Sequence, residues 1–164
     1  MPEMTLFGWF HTIVGVLALI TGFASLAKFN LINFSQPVGR AYLLLTLIAA
    51  GSALAIYKHG GFGVAHVLAV LTIMAVLIGL VAEKWRLFGG LSPYLQAAAY
   101  SATLLFHMIP AITDGLMRLP ADSPIVTEID DPLLRGFYLA FLIAYAVGFS
   151  LQVMILRRGA DEPQ

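Results

Sequence analysis

The chain has 164 residues, 60% of them hydrophobic and 11% charged, with a mean hydropathy of +0.89. Soluble domains average about 45–50% apolar and about 25% charged residues, so no water-soluble core could absorb this much apolar surface. Nine basic and nine acidic residues cancel, which removes the basic field that nucleic acid requires, and the absence of cysteine removes disulfides, thiolate metal sites, iron–sulfur clusters and thiol nucleophiles.

A bilayer core about 30 Å thick needs about 20 apolar residues at about 1.5 Å each. Stretches at 5–27, 38–57, 61–83, 93–117 and 133–156 reach that length, which predicts an all-α integral membrane protein with a bundle of about five transmembrane helices. The chain reads as one domain, 1–164, with a short polar tail at 159–164. The first helix carries a row of small residues around a histidine, Gly8, His11, Gly15, Ala18, Gly22 and Ser25, at alternating spacings of 3 and 4. Such rows let helices or a flat cofactor come close. Its apolar run is too long for a cleaved signal peptide, and no Lys or Arg precedes it.

The third helix is expected to hold His66 about five residues inside its end, at the depth of His11, and a solvated His59 beside Lys58 in the preceding turn. Ser92-Pro93 and Asp131-Pro132 read as N-caps followed by proline at the first helical position. The fourth helix has a polar stripe, Gln96, Tyr100, Thr103, His107 and Asp114, at spacings of 4, 3, 4 and 7 that place all five on one face. Pro110 interrupts that stripe and should kink the helix near His107, and Asp114 is expected to pair with Arg118 one turn on. The fifth helix repeats the pattern more weakly in Tyr138, Phe141, Tyr145, Gly148 and Gln152. Trp9, Trp85, Tyr57 and Tyr94, near predicted helix ends, suit an aromatic belt.

Lys28, Arg40, Lys84, Arg86, Arg157 and Arg158 fall on one side and Lys58, Arg118 and Arg135 on the other, six against three. Cytoplasmic loops hold the excess, so the expected topology is N-terminus outside and C-terminus cytoplasmic, in a bacterial inner membrane.

An ionisable side chain inside a bilayer is a functional candidate by default. His11 and His66, neutral imidazoles at matched depth on different helices, suit axial ligation of a b-type haem, with Gly15 leaving room for the macrocycle and His107 and Tyr100 holding a propionate or a quinone oxygen. His11, His66 and His107 with Asp114 could instead bind a transition metal, although Asp114 lies about 10 Å along the helix from His107. The plain alternative is interhelical hydrogen bonding by His, Thr (Thr103 among them), Gln and Tyr, with no ligand at all. No P-loop, GxGxxG, GxSxG or HExxH motif is present, which speaks against a hydrolase or nucleotide-driven enzyme.

The run Val38-Gly39-Arg40-Ala41-Tyr42-Leu43-Leu44-Leu45, continuing through Gly51-Ser52-Ala53-Leu54 to Gly60-Gly61-Phe62-Gly63, resembles a bacterial family of small multi-pass membrane proteins of unknown function, the DUF2306 type, over roughly residues 8 to 85. His11, Gly15 and Gly22 match its first-helix pattern, and Gly39, Arg40 and Tyr42 match part of its His-x-x-x-Gly-Arg-x-Tyr motif. Ser35 and Gln36 stand where the second histidine would be, so the resemblance implies that His66 or His107 substitutes for it. A looser likeness to four-helix b-type cytochromes that pass electrons to quinone rests on helix count and intramembrane histidine. Three functions follow as expectations: a haem- or quinone-handling electron-transfer protein, a non-enzymatic accessory or assembly subunit of a larger membrane complex, and a small transporter.

Overall fold

In the computed structural model, which describes residues 5–57 and 61–161, the chain forms five long helices and no strand among those residues. They are α1 (Leu6–Phe29), α2 (Pro37–Leu54), α3 (Val64–Trp85), α4 (Ser92–Arg118) and α5 (Pro132–Asp161), with a single 3-10 turn at Gly89–Leu91 before α4. All five are long and apolar enough to cross a membrane.

The ends follow local chemistry. Thr5 opens α1 by accepting the Gly8 N–H at 3.1 Å, and Asn30 closes it in the left-handed region, φ 58°, with its N–H on the Leu26 carbonyl. Asn tolerates that backbone better than most residues. Asp131 caps α5 as expected, its Oδ1 accepting the Leu133 N–H at 2.8 Å, with Pro132 as the first helical residue. The matching expectation for Ser92-Pro93 is corrected: Ser92 is already helical, and its hydroxyl accepts the Phe88 N–H from the preceding turn. Toward residues 58–60 the expected spans are too long, since α2 stops at Leu54 and α3 starts at Val64. Gly61 and Gly63 lose too much backbone freedom in a helix to extend α3 backwards. His59 and Lys58 lie outside the described residues. Helix α4 runs unbroken across Pro110.

Helix α2 packs against α1 and α3, α4 packs against α3 and α5, and α1 meets α4 over a shorter stretch, while α1 does not pack along α3. Two close approaches set this arrangement. A Cβ on Gly22 would stand 2.7 Å from Leu104 and 2.8 Å from the Tyr42 ring, and a Cβ on Gly79 would stand 2.3 Å from the Tyr100 ring. The buried tyrosines of α2 and α4 therefore fit only against glycine. Around them Ala18, Leu43, Val76, Leu104 and, from the α1–α2 loop, Ile32 complete the core. The outward faces, such as Ile20 on α1 and Leu139, Ile143 and Val147 on α5, are apolar and exposed, as a bilayer environment demands.

Candidate functional site

The stripe on α4 becomes a polar seam against its neighbours. His107 Nε2 lies 3.1 Å from the Thr46 hydroxyl of α2. One turn before Thr46 on the same face, Tyr42 places its hydroxyl 2.5 Å from Thr103 Oγ1. Thr103 in turn donates to the Tyr100 carbonyl at 2.6 Å. Because the Thr103 proton is committed to a carbonyl, Tyr42 is the donor in their shared bond. The Tyr42 ring meets the His107 ring edge-on, centroids 6.4 Å apart.

On α1, His11 Nδ1 lies 2.9 Å from Ser52 Oγ, which itself donates to the Ala49 carbonyl at 2.8 Å. That commitment makes His11 Nδ1 the donor in their shared bond. His107 lies within electrostatic range of His11, so α2 presents hydroxyls to a histidine on either side of it. Further along α4, Thr113 bonds the Tyr138 hydroxyl of α5 at 2.6 Å, and Asp114 pairs with Arg118 at 3.2 Å as expected.

At the opposite end of the stripe stands a group that the sequence reading passed over. Glu83, in the last turn of α3, accepts the Phe34 N–H (2.9 Å), the Ser35 N–H (3.0 Å), the Ser35 hydroxyl (2.9 Å) and the Tyr100 hydroxyl (3.0 Å). Its carboxylate thus ties α4 to the loop between α1 and α2. The other four helices bind the same loop. Ser25 of α1 donates to the Leu31 carbonyl, Arg40 of α2 to Phe34, Gln96 of α4 to Ile32 and to the Asn33 side chain, and Gln152 of α5 to Asn30. Arg40 and Lys84 also lie over the Phe34 ring, at 5.4 and 5.2 Å from its centroid. Gly39 completes the seat, since a Cβ there would fall 2.2 Å from the Asn33 carbonyl oxygen. Residues 30–36 therefore form a plug in one end of the bundle, with irregular backbone satisfied by side chains, the condition for such backbone to lie near membrane depth.

The signal for Glu83 was available: Thr72, Val76, Gly79 and Glu83 recur at 4, 3 and 4 on α3, the same pattern that exposed the α4 stripe. The α5 row also faces inward, with Tyr145 donating to the Ala98 carbonyl at 3.2 Å and Gln152 accepting from Ser101 at 2.9 Å.

His66 stands apart. It is the third residue of α3, nearer the rim than its expected depth, buried between the rings of Tyr57 (4.7 Å) and Phe62 (5.1 Å). Its Nδ1 accepts the Gly63 N–H at 3.1 Å, which puts the ring proton on Nε2, and Nε2 has no partner among the described residues. An axial pair must present two nitrogen lone pairs to opposite faces of one porphyrin. Helices α1 and α3 do not pack along each other, and His66 Nδ1 is engaged by the Gly63 N–H, so His11 and His66 are not brought together across a shared space. Among the described residues no three His, Asp or Glu side chains gather into a metal-binding cluster. Gly15, one turn from His11, has open space rather than a neighbour beside it. Two open clefts lie at the periphery against α5, and neither is lined by a histidine.

The class defined by fold and seam is a multi-pass bundle of five apolar helices with a polar interior stripe. No family model, curated protein or solved structure matches the chain.

Proposed function

We propose that the protein is a small proton-translocating membrane protein, with the α4 seam as the proton path and the 30–36 loop as its plug. One observation carries this reading: titratable and hydroxyl side chains succeed one another along α4 from Glu83 and Tyr100 to His107 and His11. From Gln96 to His107 the inward stripe spans 11 residue steps of α4, about 16 Å at about 1.5 Å each, or about half of a bilayer core of about 30 Å, and Asp114 lies beyond it, exposed and paired with Arg118. Imidazole can take a proton on one ring nitrogen and release it from the other, and Thr46, Tyr42 and Thr103 are hydroxyls that both donate and accept. The path has breaks that water or side-chain movement must bridge, at the length of the Tyr100 ring between its hydroxyl and Thr103 and between His107 and His11, which share an electrostatic contact and no hydrogen bond. Glu83 stands where the path meets the plug, so a proton on its carboxylate weakens the bonds that seat the loop. By the distribution of Lys and Arg, the plugged end faces the cytoplasm of a bacterial cell and the N-terminus lies outside.

The test is flux. Purified protein in liposomes carrying a trapped pH dye, driven by a valinomycin–potassium potential, collapses the potential-driven pH lag faster than protein-free liposomes, and His107→Ala or Tyr42→Phe lowers the rate. A wild-type rate equal to that of empty liposomes refutes the proposal and leaves the accessory-subunit reading in its place.

A further inference from the structure

Among the described residues α5 packs chiefly on α4, and α1 meets α4 over a shorter stretch, with no extended packing between α1 and α5. Between them, at the plugged end, runs an open groove of ≈ 340 Å³, within the usual range for small-molecule sites of about 300–1,000 Å³. Its walls are apolar, with Leu26 on α1 facing Leu151 and Ile155 on α5. The polar atoms at its base are already engaged, because Gln152 donates to the Asn30 carbonyl and accepts from Ser101. Gly148 marks the deep end, and a Cβ built there meets nothing within 4 Å. Arg158 marks the open end, exposed and without a carboxylate partner among the described residues.

From this geometry we infer that the groove holds one acyl chain of an anionic phospholipid, with the headgroup phosphate on Arg158. Length fits the chain: Gly148 to Arg158 is 10 residues, about 15 Å along the helix, or half of a core about 30 Å thick. Charge fits the headgroup. A guanidinium offers paired N–H donors to phosphate oxygens, and Arg158 lies at the end of the bundle that carries six of the nine Lys and Arg residues. Lipid rather than a free phosphate compound is the occupant because the walls are apolar and face the bilayer. The inference rests only on the membrane-spanning reading and is independent of proton flux.

Native mass spectrometry of the full chain, equilibrated with equal amounts of dioleoylphosphatidylglycerol and dioleoylphosphatidylcholine, tests it. Wild type retains the anionic lipid in preference, by about fivefold for one cation at the membrane surface. Arg158→Gln removes that preference while lipid of both kinds is still retained. Gly148→Leu fills the groove and loses both lipids, whereas Gly115→Leu, at a glycine that also has open space around it but lies at the other end of α4, retains them. Glycerophosphoglycerol, the same headgroup without chains, does not compete. Undiminished anionic preference in Arg158→Gln, undiminished retention in a Gly148→Leu protein that melts like wild type, or competition by the chainless headgroup overturns the inference. If Gly148→Leu does not fold, a brominated phosphatidylglycerol that fails to quench a Trp placed at Met154 in wild-type background overturns it equally.

Discussion

Replacing Glu83 by alanine removes the acceptor of four hydrogen bonds at once. Not all four are equally costly. Ser35 is exposed and its amide and hydroxyl can turn to water, whereas the Phe34 N–H and the Tyr100 hydroxyl sit in half-buried or buried surroundings. At about 1–3 kcal/mol for each of these two groups left unpaired, the expected loss is about 2–6 kcal/mol. Glu83→Gln keeps one acceptor oxygen and should lose about half of that. Tyr100→Phe deletes one of the same bonds, so it should cost about 1 kcal/mol alone and less on top of Glu83→Ala. The assay is reversible unfolding in mixed micelles by SDS titration, followed by circular dichroism. A Glu83→Ala protein within about 0.5 kcal/mol of wild type, or strictly additive losses in the double variant, refutes the view that this carboxylate seats the loop.

The two glycines of the α1 row should part company in the same assay. Gly22→Ala drives a Cβ into Leu104 and Tyr42 and should cost about 1–3 kcal/mol, while Gly15→Ala, with open space, should be neutral or stabilising by up to about 1 kcal/mol. Thr103→Val takes the acceptor from a buried Tyr42 hydroxyl, so a loss of about 1–3 kcal/mol is expected, and Tyr42→Phe in that background should recover part of it. His66→Phe removes a buried N–H that has no partner among the described residues from between two aromatic rings. Its melting point should match or exceed that of wild type, the gain offsetting the lost Gly63 bond, and a sharp fall would show that Nε2 has a partner after all.

Much of this fold was legible because bilayer physics acts on composition. Five long apolar runs, the Asp131-Pro132 cap, the Asp114–Arg118 pair and the one-faced stripe of α4 are all local patterns, and each stands in the structure. Adjacency of helices is not local, so nothing in residues 5–27 or 61–83 indicated that α1 and α3 would stay apart and that His11 would share α2 with His107. Hydropathy also overlooks glycine: the run after Gly60 counts as permissive, yet α3 begins only at Val64, which brings His66 to the rim. The plug was hidden for a different reason. Asn30 to Gln36 looks like an ordinary interhelical turn, and its meaning lies in five side chains distributed from Ser25 to Gln152 that satisfy its backbone. Gly39 and Arg40, first noted as part of a motif, are accounted for by their contacts with Asn33 and Phe34 in that turn.

The most direct measurement of the central claim is the proton flux of wild type, His107→Ala and Gly15→Ala reconstituted at equal density in the same liposomes. Flux should stand above the protein-free rate for wild type and for Gly15→Ala, and return to the protein-free rate for His107→Ala. Equal flux through wild type and a folded His107→Ala would contradict it, because the only histidine in the α4 stripe would then carry nothing.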